Sequence, residues 1–271
     1  MKVETKYELG GSMIRDSGAS WMKNKSLSRL GGTCSILVGC SYLFASVAYL
    51  MQPVEMRYHM AEFWPLFIEN AKLRMVHIIY HYNRALGALL AIAAVMAISE
   101  AVRHADEGWI RWTRNLAYLG FAMEAILNFR KAAFELMNAE AYASGDAATR
   151  AAIVAAHSWI DLDAQGLIRY GTVGLWILVI SFVALRKGIL SKRLNYVGII
   201  VAPIYWYSGI FGVVFQSYEL LTITIGVAGV TLIPIWYIST GLKLLKVKPT
   251  ENLELKDMST GSPDLLTRSV S

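Results

Sequence analysis

The chain has 271 residues, of which 55% are hydrophobic and 17% are charged, and its mean hydropathy is +0.42. These values exclude an ordinary soluble domain, because the apolar residues also collect in stretches of about 18 to 25, the length of a helix that crosses a bilayer. A bilayer leaves backbone amides no water to bind, so such stretches must be helical, and the alternating pattern of a β-barrel strand is lacking. The sequence therefore predicts an all-α, polytopic membrane helix bundle.

Six transmembrane helices can be placed along the chain. The predicted spans cover about residues 30–50, 85–102, 115–137, 166–185, 194–215 and 220–242. They belong to a six-helix transmembrane domain over residues 29–248, preceded by a flexible N-terminal arm over 1–28. Residues 249–271 are rich in Ser, Thr, Pro and charge, which predicts a disordered tail.

Clusters of lysine and arginine orient the predicted bundle. They precede the first span, separate the second from the third and the fourth from the fifth, and follow the sixth: Lys23, Lys25, Arg29, Arg103, Arg111, Arg114, Arg186, Lys187, Lys192, Arg193, Lys243, Lys246 and Lys248. In a six-span topology all four clusters lie on one side, so the positive-inside rule predicts cytoplasmic N and C termini. The predicted location is a membrane, crossed several times, and it is the plasma (inner) membrane if the protein is bacterial. The net charge of +6 then reflects topology and anionic lipids, and it requires no nucleic-acid partner.

A small helical cap is expected outside the membrane. From Arg74 to Val102 the chain has 29 residues, which span about 43 Å as a helix and exceed the hydrocarbon thickness. The preceding segment, QPVEMRYHMAEFWPLFIENAKLR, mixes aromatic and charged residues in the manner of a helix at the membrane interface. The second, third and fourth spans are therefore predicted to continue as helices into an outer cap.

Histidines concentrate in this predicted cap. The stretch VHIIYHYNRALG holds His77 and His81 one helical turn apart, and His157 and Asp161 repeat that spacing. Two imidazoles with a carboxylate from a neighbouring helix suit a divalent metal ion, so these four residues are the predicted metal ligands. The alternative, which the sequence favours, is packing at the membrane interface, because no glutamate of a zinc-protease motif stands between the pair. In either case the topology predicts that His77 and His81 lie outside the hydrocarbon and are not deeply buried.

A second polar group lies deeper in the predicted membrane. A stripe with helical spacing runs along the third span: Glu124, Asn128, Lys131 and Glu135. Glu124 is placed near the bilayer midplane, where a charged group must face the bundle interior and have a partner. The aromatic run PIYWYSG contributes Tyr205 and Tyr207 from the fifth span. Together Glu124, Asn128, Tyr205 and Tyr207 are predicted to line a ligand-binding cavity.

Structural roles compete with this prediction: they are equally open for Glu124, and they are favoured for the aromatic run and for the outer arginines. Glu124 could be hydrogen-bonded to Thr222, Thr224 or Thr231 on a neighbouring helix, and the tyrosines could be core packing. The outer arginines could fasten the helices together. The candidate ion pairs join the basic residues near the outer boundary, Arg84, Arg130, Lys131 and Arg169, to Glu135, Asp161 or Asp163.

Three long stretches resemble a known kind of protein. RLGGTCSILVGCSYL, LDAQGLIRYGTVGLWILVISFVALRKGILSKRLNYVGIIVA and IPIWYISTGLKL are similar to an uncharacterised family of bacterial six-span integral membrane proteins, a domain of unknown function. The resemblance implies the six-helix fold. It supplies no catalytic residue and no cofactor.

Three functions fit the sequence. The one we favour is binding or transport of a small molecule through an outward-facing polar cavity. The second is a membrane-embedded enzyme that acts on a lipophilic substrate, with a divalent metal as its possible cofactor. The third is an accessory subunit that packs against a larger membrane complex or a second copy of itself.

Overall fold

The computed structural model describes residues 25–158, 162–163, 166–214, 226 and 228–246. These residues are helical or lie in short connections, and they contain no strand, which confirms the predicted all-α class. A 3₁₀ turn (Arg103–Ala105) and a π turn (Leu167–Gly171) join some of the helices. The α-helices are α1 (Lys25–Met51), α2 (Val54–Arg57), α3 (Phe63–Glu69), α4 (Ala71–Val102), α5 (Glu107–Ser144), α6 (Ala147–Ser158), α7 (Thr172–Lys187), α8 (Lys192–Val214) and α9 (Leu232–Leu245).

Four helical segments in the described part of the chain are long and apolar enough to cross a membrane. They are Lys25–Met51, Ala71–Ala105, Leu167–Lys187 and Ala228–Leu245. They overlap the first, second, fourth and sixth predicted spans and indicate a membrane protein. The predicted third span falls in α5, whose charged stripe makes it less apolar, and the fifth falls in α8. The predicted arm up to residue 24, the tail and residues 215–225 of the last two predicted spans lie outside the described residues.

The long helices pack as an antiparallel ring. Around the ring the order is α1, α4, α5, α7, α8 and α9, and α9 packs back against α1. Gly31 early in α1 packs against Ala97 late in α4, whereas Ser41 further along α1 hydrogen-bonds the Asn83 carbonyl early in α4. Each long helix therefore runs opposite to the one before it.

Small residues allow a close contact between α1 and α9. A Cβ on Gly241 would lie 2.6 Å from the carbonyl oxygen of Gly32, so only a glycine allows this approach. Further along α1, the Ser35 hydroxyl donates to the carbonyl oxygen of Tyr237 (2.7 Å). This close packing holds the first and last helices of the ring together.

The two ends of the bundle differ in character. Because neighbouring helices alternate in direction, the start of α1, α5 and α8 and the end of α4, α7 and α9 lie at the same end. The basic residues of that end are Lys25, Arg29, Arg103, Arg111, Arg114, Arg186, Lys187, Lys192, Arg193, Lys243 and Lys246. The opposite end carries α2, α3 and α6, which form a small helical cap over α4 and α5.

The cap has its own apolar core. Met56, Phe63, Trp64, Phe67 and Ile153 are buried there and pack against the adjoining parts of α4 and α5. Aromatic rings of this size bury a large area and fix the short helices over the end of the bundle. As a result, the face of this part of α4 that carries His77 and His81 is covered by protein, while Met75 and Ile79 on its other face are exposed.

Candidate functional site

A buried ion pair joins α4 and α5 in the interior of the ring. The Arg84 Nε donates to Glu124 Oε1 (2.6 Å), and Arg84 Nη2 contacts the same oxygen. The guanidinium also donates to the hydroxyl groups of Tyr80 (2.8 Å) and Tyr170 (3.0 Å). Glu124 therefore faces the interior with a partner, as its expected depth required.

That partner differs from the predicted ones. Thr222 and Thr224 lie outside the described residues, and Thr231 is exposed. The sequence places Arg84 near the outer membrane boundary, and from there it is expected to pair with Glu135, Asp161 or Asp163. This expected depth hides its pairing with Glu124. Arg84 instead donates a hydrogen bond directly to the Glu124 carboxylate.

A second arginine approaches Glu124 from the π turn. Arg169 Nη1 lies 3.9 Å from Glu124 Oε2, and Arg169 Nη2 donates to the Asp163 carbonyl oxygen (3.2 Å). The Asp163 carboxylate accepts from the backbone amides of Ile168 (3.1 Å) and Arg169 (2.8 Å), so it caps the helix that begins there. The predicted pairing of Arg169 with Asp163 is present. Glu124 Oε2 is buried and accepts no hydrogen bond from the described residues.

An apolar cavity of about 100 Å³ opens beside this ion pair, inside the ring. Glu124, Arg84, Tyr42 and Tyr205 form its polar wall, and the Tyr205 hydroxyl donates to the Tyr42 hydroxyl (2.6 Å). Serine and tyrosine hydroxyls add to this wall, and the apolar lining includes Val38, Ala45, Ala88, Phe121, Ile204 and Ile233. Of the four predicted cavity residues, Glu124 and Tyr205 line this space. Tyr207 is half-buried and is not among the described residues that line it.

A polar cavity of about 150 Å³ lies on the other side of Arg84, toward the cap. Asn128, the remaining predicted cavity residue, lines this second space together with His77 and His81. Arg84, Tyr80, Tyr49 and Tyr170 line both cavities. The predicted ligand-binding residues are thus divided between two neighbouring cavities with the Arg84–Glu124 pair at their junction.

The hydrogen bonds of His81 fix which of its nitrogens carries the proton. Asn128 Nδ2 donates to the Glu124 carbonyl oxygen (2.8 Å), so Asn128 Oδ1 is the atom that faces His81 Nδ1 (2.8 Å). An oxygen acceptor requires a proton on Nδ1, which leaves Nε2 with its lone pair in a neutral ring. His81 Nε2 is buried and has no hydrogen-bond partner among the described residues.

His77 is held in the same way by a different amide. Gln52 Nε2 donates to the Ala48 carbonyl oxygen (3.2 Å), so Gln52 Oε1 faces His77 Nδ1 (2.6 Å). On the other side of the ring, His77 Nε2 lies 2.9 Å from Glu135 Oε2. Glu135 is fully buried. The Glu135 carboxylate on α5, the His77 imidazole on α4 and the Gln52 amide just after α1 thus form one chain of contacts.

Two further histidines complete this cluster from the cap. His59 Nε2 lies 3.2 Å from Glu135 Oε1, and the His59 ring packs against that of His157 with centroids 4.4 Å apart and planes tilted by 32°. His59 has a φ of 51°, in the left-handed region that a residue with a side chain rarely adopts. Burial lowers the pKa of His59 and lowers the pKa of His157 to about 4, so both rings are neutral at neutral pH.

The cluster revises the predicted metal set. His77 and His81 are adjacent, with ring centroids 4.6 Å apart, but their exposed fractions are only 2% and 5%, so the predicted exposure of this pair is wrong. Asp161 lies outside the described residues. The ligand-type atoms that lie within 4.8 Å of one another belong to His59, His77 and Glu135. The sequence predicts that His59 and Glu135 lie on the same side of the membrane. Their spacing along the chain gives no sign that either residue contacts His77.

Comparison of the chain with protein-family models, with curated proteins and with solved structures finds no match. The four long apolar helices indicate a membrane protein, and its described part is all-helical with charged side chains in the interior. Its function has to be argued from the two cavities and the residues between them.

Proposed function

We propose that this chain is a six-span membrane protein of the plasma membrane with both termini in the cytoplasm. The basic residues gathered at one end of the antiparallel ring support this topology through the positive-inside rule. Under it α5 and α8 also cross the bilayer. Glu124 and Asn128 of α5 are tolerated there because they are buried inside the ring, whereas Arg130 is exposed and lies toward the outer boundary. The cap and the polar cavity then lie on the outer side. The proposed topology agrees with the resemblance to a bacterial six-span family.

We further propose that the protein binds, and passes toward its outer side, a small amphiphilic molecule. The observation that carries this proposal is the position of the Arg84–Glu124 pair, which forms the polar wall of the inner apolar cavity. A buried ion pair contributes little net stability compared with an apolar pair of the same size, so stability alone gives no reason to keep it inside a bilayer. A ligand that must be oriented in an apolar cavity does provide a reason.

The polar wall selects the chemistry of the ligand. Glu124 Oε2 is a buried acceptor without a hydrogen bond from the described residues. The Tyr42 and Tyr205 hydroxyls share one hydrogen bond, and because each hydroxyl can donate or accept, one of their two protons is left to donate. A hydroxyl group satisfies both, since it donates to the carboxylate and accepts from the tyrosine. A carboxylate ligand would be repelled by Glu124.

The size of the cavity limits the apolar part of the ligand. An apolar cavity of about 150 Å³ binds benzene, so a cavity of about 100 Å³ holds a short chain or a small ring. The ligand is thus a short alcohol-like amphiphile. Movement toward the outer side requires the Arg84 side chain to shift, because Arg84 lines both cavities.

The experiment compares two phenylalanine variants of α1. Ala45 lines the cavity, so Ala45→Phe fills it, whereas Val47→Phe adds a ring on the exposed face of the same helix. Thermal unfolding of the purified protein in detergent is measured with n-butanol, n-hexanol and the carboxylates of the same length. We expect saturable stabilisation by the alcohols in the wild type and Val47→Phe, and none in Ala45→Phe. Equal responses in all three proteins, or a preference for the carboxylates, would contradict the proposal.

A further inference from the structure

The histidine cluster beneath the cap raises a separate question, which concerns the charge between His77 and Glu135. The Gln52 amide places an acceptor on His77 Nδ1, so that nitrogen carries a proton. The neutral ring then presents a lone pair at Nε2, and this lone pair faces the Glu135 carboxylate at 2.9 Å. Two acceptors at that distance repel each other unless a cation lies between them. The cation is either a proton or a metal ion.

We propose that the cation is a divalent metal ion held by His59 Nε2, His77 Nε2 and the Glu135 carboxylate, with Zn²⁺ the best fit. Two ligand atoms each about 2.0–2.1 Å from one tetrahedral ion lie roughly 3.3 Å apart. His77 Nε2 lies 2.9 Å from Glu135 Oε2, and His59 Nε2 lies 3.2 Å from Glu135 Oε1. These are also hydrogen-bond distances, so an ion fits after the ligands move apart by a few tenths of an ångström. Two imidazoles and one carboxylate form a donor set that zinc enzymes use, with the fourth position left for a water molecule or substrate.

The surroundings of the cluster have the features of a supported metal site. Metal-bound imidazoles donate their second N–H to a neighbouring oxygen, which fixes the ring and makes the other nitrogen a better ligand. Gln52 does this for His77, and its own amide is anchored to the Ala48 carbonyl. The left-handed backbone at His59 is a second sign, since residues held in this conformation concentrate at functional sites.

The site lies beside the polar cavity and not in the apolar one. His59 and His77 both line the space of about 150 Å³, which gives a bound ion access to solvent-sized molecules. His81 Nε2, a buried lone pair one turn along α4, belongs to a residue lining the same space. The inference does not depend on the alcohol-binding proposal, because the two sets of ligand residues do not overlap.

Metal binding is tested on the full-length protein in detergent, purified without a polyhistidine tag and stripped with a chelator. Zn²⁺ is titrated against a fluorescent indicator, and Co²⁺ is added separately to record its visible absorption. We expect one equivalent of either ion and a Co²⁺ spectrum typical of four-coordinate geometry. Failure of the wild type to bind Zn²⁺ in the micromolar range would overturn the proposal and assign the proton to the His77–Glu135 pair.

Variants locate the ion. His59→Ala and Glu135→Gln should each weaken Zn²⁺ binding at least tenfold, and Gln52→Leu, which removes an orienting group, by about 10- to 100-fold. His104→Ala alters an exposed histidine at the opposite end and should leave the affinity unchanged. If Glu135→Gln does not fold, His59→Ala still decides the result, since His59 is 23% exposed and lies outside the helices. An affinity that is the same in the wild type and His59→Ala would also overturn the proposal.

Discussion

Removing the charge of Glu124 should destabilise the bundle strongly. In Glu124→Gln the guanidinium of Arg84 keeps its bonds to Tyr80 and Tyr170 but loses its counter-charge, with Arg169 also nearby. Breaking a buried ion pair from one side costs about 3–5 kcal/mol, and the lower value applies because Arg84 is 20% exposed. At about 2–4 °C per kcal/mol, the loss corresponds to a fall of roughly 6–12 °C in the unfolding temperature.

The double variant Arg84→Met/Glu124→Leu separates charge from packing. It removes both charges and leaves two tyrosine hydroxyls without their donor, at about 1 kcal/mol each. We therefore expect the double variant to be more stable than Glu124→Gln, and its deficit relative to the wild type to be the loss at the two tyrosine hydroxyls, with no net loss from the ion pair itself. Thermal unfolding in one detergent, followed by loss of the monodisperse gel-filtration peak, measures both.

An exposed ion pair provides the control. Arg111 Nη2 lies 2.6 Å from Glu107 Oε1, and both side chains are 56% exposed. Because an exposed ion pair contributes little, Glu107→Gln should leave the unfolding temperature nearly unchanged. If Glu124→Gln behaved like Glu107→Gln, or if the double variant were the least stable of the set, the reasoning about a buried charge would be refuted.

The remaining predictions concern topology and the cap. In a Cys40→Ser background, a membrane-impermeant maleimide added to intact cells should label Ala61→Cys in the cap and should not label Lys187→Cys at the basic end. The reverse pattern would contradict the proposed orientation. The Asp146 side chain accepts from the Thr149 amide (2.8 Å) at the start of α6, and this hydrogen bond lowers the pKa of Asp146. The capping contribution is therefore complete at neutral pH and is lost as the pH falls through the lowered pKa. Asp146→Ala should make α6 more sensitive to limited proteolysis at pH 7, while Asp146→Asn should keep the protection and lose its pH dependence. Equal cleavage of both variants would contradict the capping role.

The features that could be predicted from the sequence are those set by local composition. Apolar length predicted the helices, and the depth of Glu124 predicted that it faces the interior. The identity of its partner could not be predicted, because Arg84 is 40 residues away and the pairing depends on how α4 and α5 are rotated. The resemblance to a bacterial six-span family stays a prediction.

Burial of the histidines was missed for a related reason. Counting residues past the hydrocarbon placed His77 and His81 on a helical extension, where solvent was expected. Phe63 and Phe67 of the cap cover that extension through aromatic packing, which is a contact between elements and leaves no periodic signal in α4 itself. Amides such as that of Gln52 are equally hard to foresee, since their role follows from a hydrogen bond made across helices.

The most direct test of the central claim is native mass spectrometry of the protein released from its own membranes. Wild type and Val47→Phe should retain a small non-covalent adduct, and Ala45→Phe, whose cavity is filled, should not. Spectra without any such difference between Ala45→Phe and the other two proteins would contradict a ligand in the cavity beside Arg84 and Glu124.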